Sequence, residues 1–323
     1  MKILITGGSG FIGSHLAEKF LKEGYDVTVI DNLSTGNTDN LGACFKYKNF
    51  KFIKGDILDR FTMESLISEC DTIFHFAAIV GMKLAVRGFW DILQNNIEGT
   101  KNIIELANIY RKRVFLASTS EIYGMVNCIS SENDHVVLGV PSKKRWAYAY
   151  SKIMDEILAY SYIEKYDLPI TIFRFFNVIG PKQTGIYGMV VPTFIRVALK
   201  NEVIPVYGSG MQRRSFTYIS DVIDGIFKIY KTNKLVGEAV NIGSTENISI
   251  LDLAYKIKKL TNSNSSIEHF SYESVYGEGF EDVMDRIPDL TKIENAINYK
   301  PLINLDIAIN LIINHEKENN IYF

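Results

Sequence analysis

Residues 2–13 constrain what this 323-residue chain can fold into more than any other stretch. Lys2-Ile3-Leu4-Ile5 is a short apolar run that ends in Thr6-Gly7-Gly8-Ser9-Gly10-Phe11-Ile12-Gly13. Apolar residues at Leu16, Ala17, Phe20 and Leu21 then keep helical spacing. The order is strand, glycine-rich turn, helix. It satisfies G-x-G-x-x-G through Gly8, Gly10 and Gly13, and G-x-x-G-x-x-G through Gly7, Gly10 and Gly13. Such glycines permit a tight turn and let a pyrophosphate approach backbone N–H groups at the helix N-terminus, where Phe11, Ile12 and Gly13 stand. A lone glycine motif says little, but the strand before it and the helix after it are the context a dinucleotide-binding turn requires. The next strand-like run, Asp26-Val27-Thr28-Val29-Ile30, ends in Asp31 and Asn32. A carboxylate there suits the adenosine ribose hydroxyls and repels a 2′-phosphate, which points to NAD rather than NADP.

Strand and helix patterns continue to alternate. Phe52-Ile53-Lys54-Gly55-Asp56-Ile57 reads as a strand with a polar end, from which Asp56 could reach an adenine amino group. Asp71 to Ala78 is the next strand. Its small Ala77 and Ala78 would let a cofactor lie against the backbone, while His75 reads as a packed core residue rather than a catalyst. A helical stretch from about residue 89 to 110 carries Asn96, Gly99 and Thr100 at its centre. Val114-Phe115-Leu116-Ala117 runs into Ser118-Thr119-Ser120-Glu121-Ile122-Tyr123-Gly124. Ligands bind at the carboxyl ends of parallel strands, although the hydroxyls of Ser118–Ser120 fit turn and capping chemistry as well. Leu168 to Arg174 is a further strand, followed by Phe175 to Pro181. These elements predict an α/β fold, a doubly wound (Rossmann-type), mostly parallel sheet with a smaller C-terminal substrate-binding lobe. The division expected is residues 1–177 for the NAD-binding domain, with later segments returning to it, and 178–323 mainly for the substrate lobe. The tail from Glu316 reads as a frayed end.

The chemistry centres on Tyr148-Ala149-Tyr150-Ser151-Lys152. Tyr148 and Lys152 stand four residues apart and share one face of a helix. A phenol with a pKa near ~10 is a poor base at neutral pH, and an ammonium on the same face favours the phenolate. The pair is thereby suited to moving a proton off or onto a substrate hydroxyl. Spacing alone does not single it out, because Tyr47/Lys51, Tyr230/Lys234 and Tyr255/Lys259 share it. Arginines in separate segments, Arg213-Arg214 and Arg286, could converge on a diphosphate, for which a planar guanidinium is well shaped.

Composition removes several alternatives. The formal net charge is −2, so nothing global suggests nucleic acid or an anionic membrane as a partner. Cys44, Cys70 and Cys128 lie far apart and read as reduced thiols of a cytoplasmic protein, and the five histidines are scattered, which argues against a zinc site. No apolar run approaches the ~20 residues of a membrane span, and no charged leader precedes the first strand.

Together these parts resemble the extended short-chain dehydrogenase/reductase family, in particular its nucleotide-sugar epimerases, dehydratases and decarboxylases. The resemblance runs from Lys2 to at least Pro301. It is carried by Thr6–Gly13, Asp31-Asn32, Gly55-Asp56-Ile57, His75–Ala78, Asn96–Thr100, Ser118–Gly124, Tyr148–Lys152 and Arg214–Tyr218. It implies that Tyr148 is the catalytic base, that Lys152 holds the nicotinamide ribose and lowers the tyrosine's pKa, and that Thr119 hydrogen-bonds the sugar's O4. Gly7, Gly10, Phe11, Ile12, Gly13, Asp31, Asn32, Asp56, Ile57, Ala77, Ala78 and Asn96 are then expected around NAD. Asn177, Val191, Arg214 and Arg286 are expected around a UDP- or GDP-linked sugar. A homodimer, with doubling to a tetramer as a further option, is the expected assembly, formed through the helices near 89–110 and 147–165.

The same resemblance leaves the net reaction open. Ser118-Thr119-Ser120-Glu121-Ile122-Tyr123-Gly124 is similar to UDP-glucuronate decarboxylases and GDP-mannose 4,6-dehydratases, and Lys144 to Tyr148 to the decarboxylase domain that feeds 4-amino-arabinose synthesis. Asn177 to Gly185 and Tyr187 to Pro192 instead resemble bacterial sugar epimerases. In a dehydratase Glu121, beside Ser120, would shuttle protons; in a decarboxylase it would help organise the C6 carboxylate. The expectation is NAD-dependent oxidation at C4 ending in epimerisation or release of the 4-keto sugar, ahead of decarboxylation and then dehydration. A nucleotide-binding scaffold without chemistry is the competing class.

Overall fold

The computed structural model describes residues 1–80, 89–125, 129–185, 188–276 and 283–319; Cys128, Tyr187 and the last four residues lie outside them. Seven strands build the central sheet: β1 (Lys2–Thr6), β2 (Asp26–Asp31), β3 (Phe50–Lys54), β4 (Thr72–His75), β5 (Arg113–Thr119), β6 (Ile170–Phe175) and β7 (Ala239–Ile242). Their spatial order is β7-β6-β5-β4-β1-β2-β3, and every neighbouring pair is parallel. This is the doubly wound sheet the sequence pattern predicts. The order reverses beside β1, so a crevice opens between the carboxyl ends of β1 and β4.

Both faces of a parallel sheet are covered, which is why its strands read as continuous apolar runs. Helix α1 (Phe11–Lys22) packs on one face with Phe20, Phe74, Phe115 and Phe173 in a single apolar cluster. Phe74 and Phe115 stack at 4.6 Å between centroids, and Phe115 and Phe173 at 5.5 Å, so aromatic area ties three strands together. Helix α2 (Arg60–Glu69), capped by the Asp59 carboxylate, lies on the other face with Ile67, Ile104 and Leu116.

The long helix expected near 89–110 is broken into α3 (Phe89–Leu93), a π-helical turn (Gln94–Glu98) and α4 (Gly99–Ile109). The irregular turn lies where the buried Asn96 amide accepts from Ile79 N at 2.8 Å and donates to Ser151 Oγ at 3.0 Å. A polar side chain tied to two other segments there offsets the poorer helix geometry. Helix α5 (Ala147–Tyr166) carries the tyrosine–lysine pair.

A separate apolar cluster gathers α6 (Val190–Leu199), α7 (Ile250–Thr261) and α8 (Leu305–Glu318) around Phe194, Ile204, Leu253 and Ile309. The frayed end expected from Glu316 begins inside a helix, and its residues 320–323 lie outside the described residues. Glu316 is buried in α8, and its carboxylate accepts from Arg196 Nε and Nη2, both at 2.9 Å. The apolar face of Leu305, Ala308, Ile309, Ile312 and Ile313 holds the helix in place beyond the point where its polar residues suggest a tail. Arg213–Ser215 is sandwiched between Asn247–Ser249 and Asp285–Pro288, and Ile129–Ser130 pairs with the latter. That small sheet sets Arg214 directly beside Arg286 and ties the loop after β5 to both.

Candidate active site

A cleft of about 990 Å³ runs over the carboxyl ends of the strands. Gly7, Gly10, Phe11, Ile12, Gly13, Asp31, Asn32, Ile57, Ala77 and Ala78 all line it, as do Thr119, Ser120, Glu121, Tyr148, Lys152, Asn177, Val191, Arg214 and Arg286. Asp56 and Asn96 do not. Asp56 accepts from the Asn32 amide and from Leu58 N, and Asn96 is fully enclosed by the contacts of the π-turn.

At one end the backbone is shaped by the absence of side chains. Gly7 has φ +67°, and a Cβ on it would lie 2.6 Å from Ala77 N. Only glycine combines that conformation with so close an approach of β1 to β4. The Asp31 carboxylate accepts from Ser9 N at 2.9 Å and Leu33 N at 2.8 Å, which fixes its direction at the rim of the turn. Burial pushes its pKa up, against those two bonds. These residues fit a dinucleotide: glycine backbone for the diphosphate, Asp31 for ribose hydroxyls, and Ala77 and Ala78 as an open floor.

The other end holds the ionisable groups. Burial raises the Tyr148 phenol, the Glu121 carboxylate raises it further, and the Thr119 hydroxyl acts in the opposite direction. Lys152 is paired within its own helix. Its Nζ donates to Asp155 Oδ2 at 2.6 Å one helical turn on, and both side chains are buried. The Asp155 carboxylate thus offsets the charge of the ammonium beside the tyrosine.

Glu121 is clamped between two guanidinium groups. Arg145 Nη1 donates to its Oε2 at 2.7 Å, and Arg286 Nη1 donates to its Oε1. Burial alone would raise the Glu121 pKa, but the two arginines overcome it and hold the carboxyl well below its ordinary value. Arg286 Nη2 is buried without a partner and Arg286 lines the cleft, so an anionic oxygen entering there would complete its bonding. Asn177 adopts φ +26°, and its amide donates to Ser215 O at 2.9 Å. His75 is a buried core residue, as its strand position suggests, and burial lowers it to about 3. Burial also pushes the Cys44 and Cys70 thiols up, to about 11 and about 12, so neither is primed as a nucleophile.

Residues 3–243 match the model of the NAD dependent epimerase/dehydratase family. The chain belongs to that family. NAD is accordingly its cofactor. A UDP-N-acetyl-alpha-D-glucosaminuronate decarboxylase from Bacillus cytotoxicus is 41% identical over 306 residues, covering 93% of this chain and 92% of the relative. A UDP-glucuronic acid decarboxylase 1 from Danio rerio is 33% identical over 314 residues, 97% of this chain and 72% of the relative. Among solved structures, the UDP-glucuronic acid 4-epimerase from Bacillus cereus, in complex with UDP-glucuronic acid and NAD, superposes with a TM-score of 0.89 at 30% identity. That match covers 99% of this chain and 100% of the other.

The sequence assigns no role to Arg145 or Asp155. Asp155 stands three residues after Lys152 on α5, so helical spacing is its signal; Arg145 lies in the turn before α5 and meets Glu121, 24 residues back, which no local spacing shows. Gln212, whose amide donates to Tyr272 Oη at 2.9 Å in the cleft wall, gave none.

Proposed function

We propose that this protein is an NAD-dependent decarboxylase of a UDP-linked uronic acid, with the 2-acetamido sugar the first substrate to test and UDP-glucuronate the second. The observation that carries the reading is the clamp on Glu121. Two guanidinium groups around one carboxylate leave a net positive, buried cluster beside Thr119 and Tyr148, and such a cluster suits a substrate that brings its own carboxylate. The same clamp speaks against dehydration, which asks Glu121 to take the C5 proton, because a carboxylate held this low is a poor base. From sequence, epimerisation or release of the 4-keto sugar stood first; the clamp and the 41% identity to a decarboxylase reverse that order.

Held by the glycine turn, Asp31, Ala77 and Ala78, NAD would supply hydride transfer at C4. Thr119 orients the C4 hydroxyl and Tyr148 removes its proton. With C4 a ketone, the C5–C6 electron pair can flow to the C4 oxygen as CO₂ leaves. Tyr148, by then a phenol, and Thr119 donate to the enolate oxygen that forms. A proton from water at C5 then restores the ketone, and Tyr148 gives its proton back as C4 is reduced. The overall change consumes one proton and yields a UDP-pentose and CO₂. Arg214 and Arg286, adjacent in register, are assigned to the substrate's anionic groups, and Val191 and Asn177 to the wall beside them.

Purified protein incubated with each UDP-uronate and read by mass should show product lighter by one CO₂. Unchanged mass with a new retention time would make it an epimerase, and loss of water a dehydratase. The dimer expected through α3–α4 and α5 remains part of the proposal, resting on exposed Trp90, Met154, Ile157 and Tyr160 along those helices. Light scattering that reads a monomer at micromolar concentration contradicts it.

A further inference from the structure

We propose that Asp155 is a positioning residue for the Tyr148–Lys152 pair, anchoring the lysine from behind the cleft wall. The inference rests on Tyr148 being the proton carrier of the proposed reaction. Lys152 lines the cleft and Asp155 does not, so the carboxylate acts through the lysine and not on a ligand.

A buried run of hydrogen bonds lies beside the pair. Thr6 Oγ1 accepts from Ala77 N at 3.2 Å, and its own hydrogen has His75 Nδ1, 2.7 Å away, as acceptor. That assignment makes His75 the Nε2–H tautomer, which then donates to Thr100 Oγ1 at 3.1 Å. Burial raises the Asp155 carboxyl, against which the Lys152 ammonium and, more weakly, the nearby Thr100 hydroxyl favour its ionised form. Lys152 Nζ donates to Asp155 Oδ2 at 2.6 Å, while Asp155 Oδ1 is buried without a partner. Thr6, His75, Thr100, Lys152 and Asp155 are each at most 2% exposed, so water does not compete for these bonds. These bonds link β1, β4 and α4 beneath the glycine turn, next to the Lys152–Asp155 pair of α5.

Three buried or half-buried carboxylates face this region, and each has its own cation. Glu121, on the turn after β5, is held by Arg145 and by Arg286 of the 285–288 strand; Glu156 on α5 is held by Arg174; Asp155 is held by Lys152. His75 on β4 is neutral. An isolated lysine carries a long flexible stem, and an unpaired buried ammonium tends to lose its proton. The Asp155 bond fixes that stem in one direction. Asp155 also contributes, with Glu121, to keeping Tyr148 a phenol at rest.

The test is the pH profile of kcat/KM for UDP-uronate turnover. Activity rises on the acid limb as Tyr148 loses its proton, so a lower phenol pKa moves that limb to lower pH. Asp155→Asn removes a charge that raises the phenol and should move the limb down by about one unit, with weaker NAD binding as the lysine loosens. Asp155→Glu, which keeps the charge, should leave the limb in place. A merely structural role lowers the melting temperature and scales the rate without moving the limb. A folded Asp155→Asn with an unmoved or raised limb overturns the proposal. Should that variant not fold, Thr100→Val takes its place. Stripping the hydroxyl donor makes Asp155 easier to protonate and shifts the limb down by less, and an unmoved limb again overturns it. Tyr148→Phe separates the two levels: near-normal turnover there defeats the reading of Tyr148 itself, whatever Asp155 does.

Discussion

Glu121 shows how one residue can be chemically disarmed by its neighbours. In sequence it is an acid at the end of a strand, able to serve as base, acid or organiser. In the fold its two oxygens are taken by Arg145 and Arg286, residues that lie 24 positions after it and 165 positions after it in the chain. Only the last of its three roles survives that arrangement. Replacing it with glutamine would leave two buried guanidinium groups facing a neutral amide. Removing one partner of a buried pair costs about 3–5 kcal/mol, so Glu121→Gln should lower the melting temperature clearly. It should also slow turnover by roughly 10²-fold through misplacement of both arginines. A variant with wild-type stability and rate would show that the clamp is incidental.

At the scale of elements, what was legible depended on whether the signal was local. The glycine turn, the strands β1 to β6 and helix α5 follow from runs and spacings inside a few residues; β3 forms two residues earlier than its 52–57 run, and β4 stops at His75 rather than Ala78. The π-turn was not legible, because its cause is Asn96 meeting Ile79 and Ser151, 17 residues back and 55 residues on. The burial of Glu316 was hidden for the same reason, its partner Arg196 being 120 residues away. The glycine turn carries its own prediction. A Cβ on Gly13 would lie 2.6 Å from Gly7 O, whereas on Gly10 the nearest atom is Gly7 O at 3.1 Å. A side chain at Gly10 therefore points into the open cleft with little damage to the turn. Gly10→Trp should fold, with an unchanged far-ultraviolet dichroism spectrum, and lose NAD binding, while Gly13→Val should fail to fold. Unchanged NAD affinity in Gly10→Trp would sink the assignment of this turn to the cofactor.

At the scale of the whole molecule, the family and its sheet were readable from the order of the motifs, but the reaction was not, because it is decided where distant segments converge. The same convergence sets how stability responds to acid. Burial holds His75 at about 3 and His15 at about 4, both below the ordinary value of 6.5. Between pH ~6.5 and those values the unfolded chain binds protons that the folded chain refuses, so the unfolded state gains as pH falls. The sign is thus loss of stability on acidification, beginning near pH 6.5. For the fully buried His75 the slope approaches about 1.4 kcal/mol per pH unit. Glu121, a carboxylate held low, adds its own loss only below the unfolded carboxylate range near ~4.3, where protonation of the unfolded chain begins. Asp31, Asp155 and Asp221 work the other way, since their raised values let the folded state take up protons before the unfolded chain does and soften the fall. Melting temperature should therefore already decline between pH 7 and pH 5.5, where the unfolded chain's histidines begin to bind protons. His75→Asn, which keeps a side chain able to bond Thr6 or Thr100 but cannot take up a proton, should flatten that early decline. A melting temperature that stays level from pH 7 to pH 5, or an equally steep decline in His75→Asn, would mean that the buried histidines do not govern the acid response.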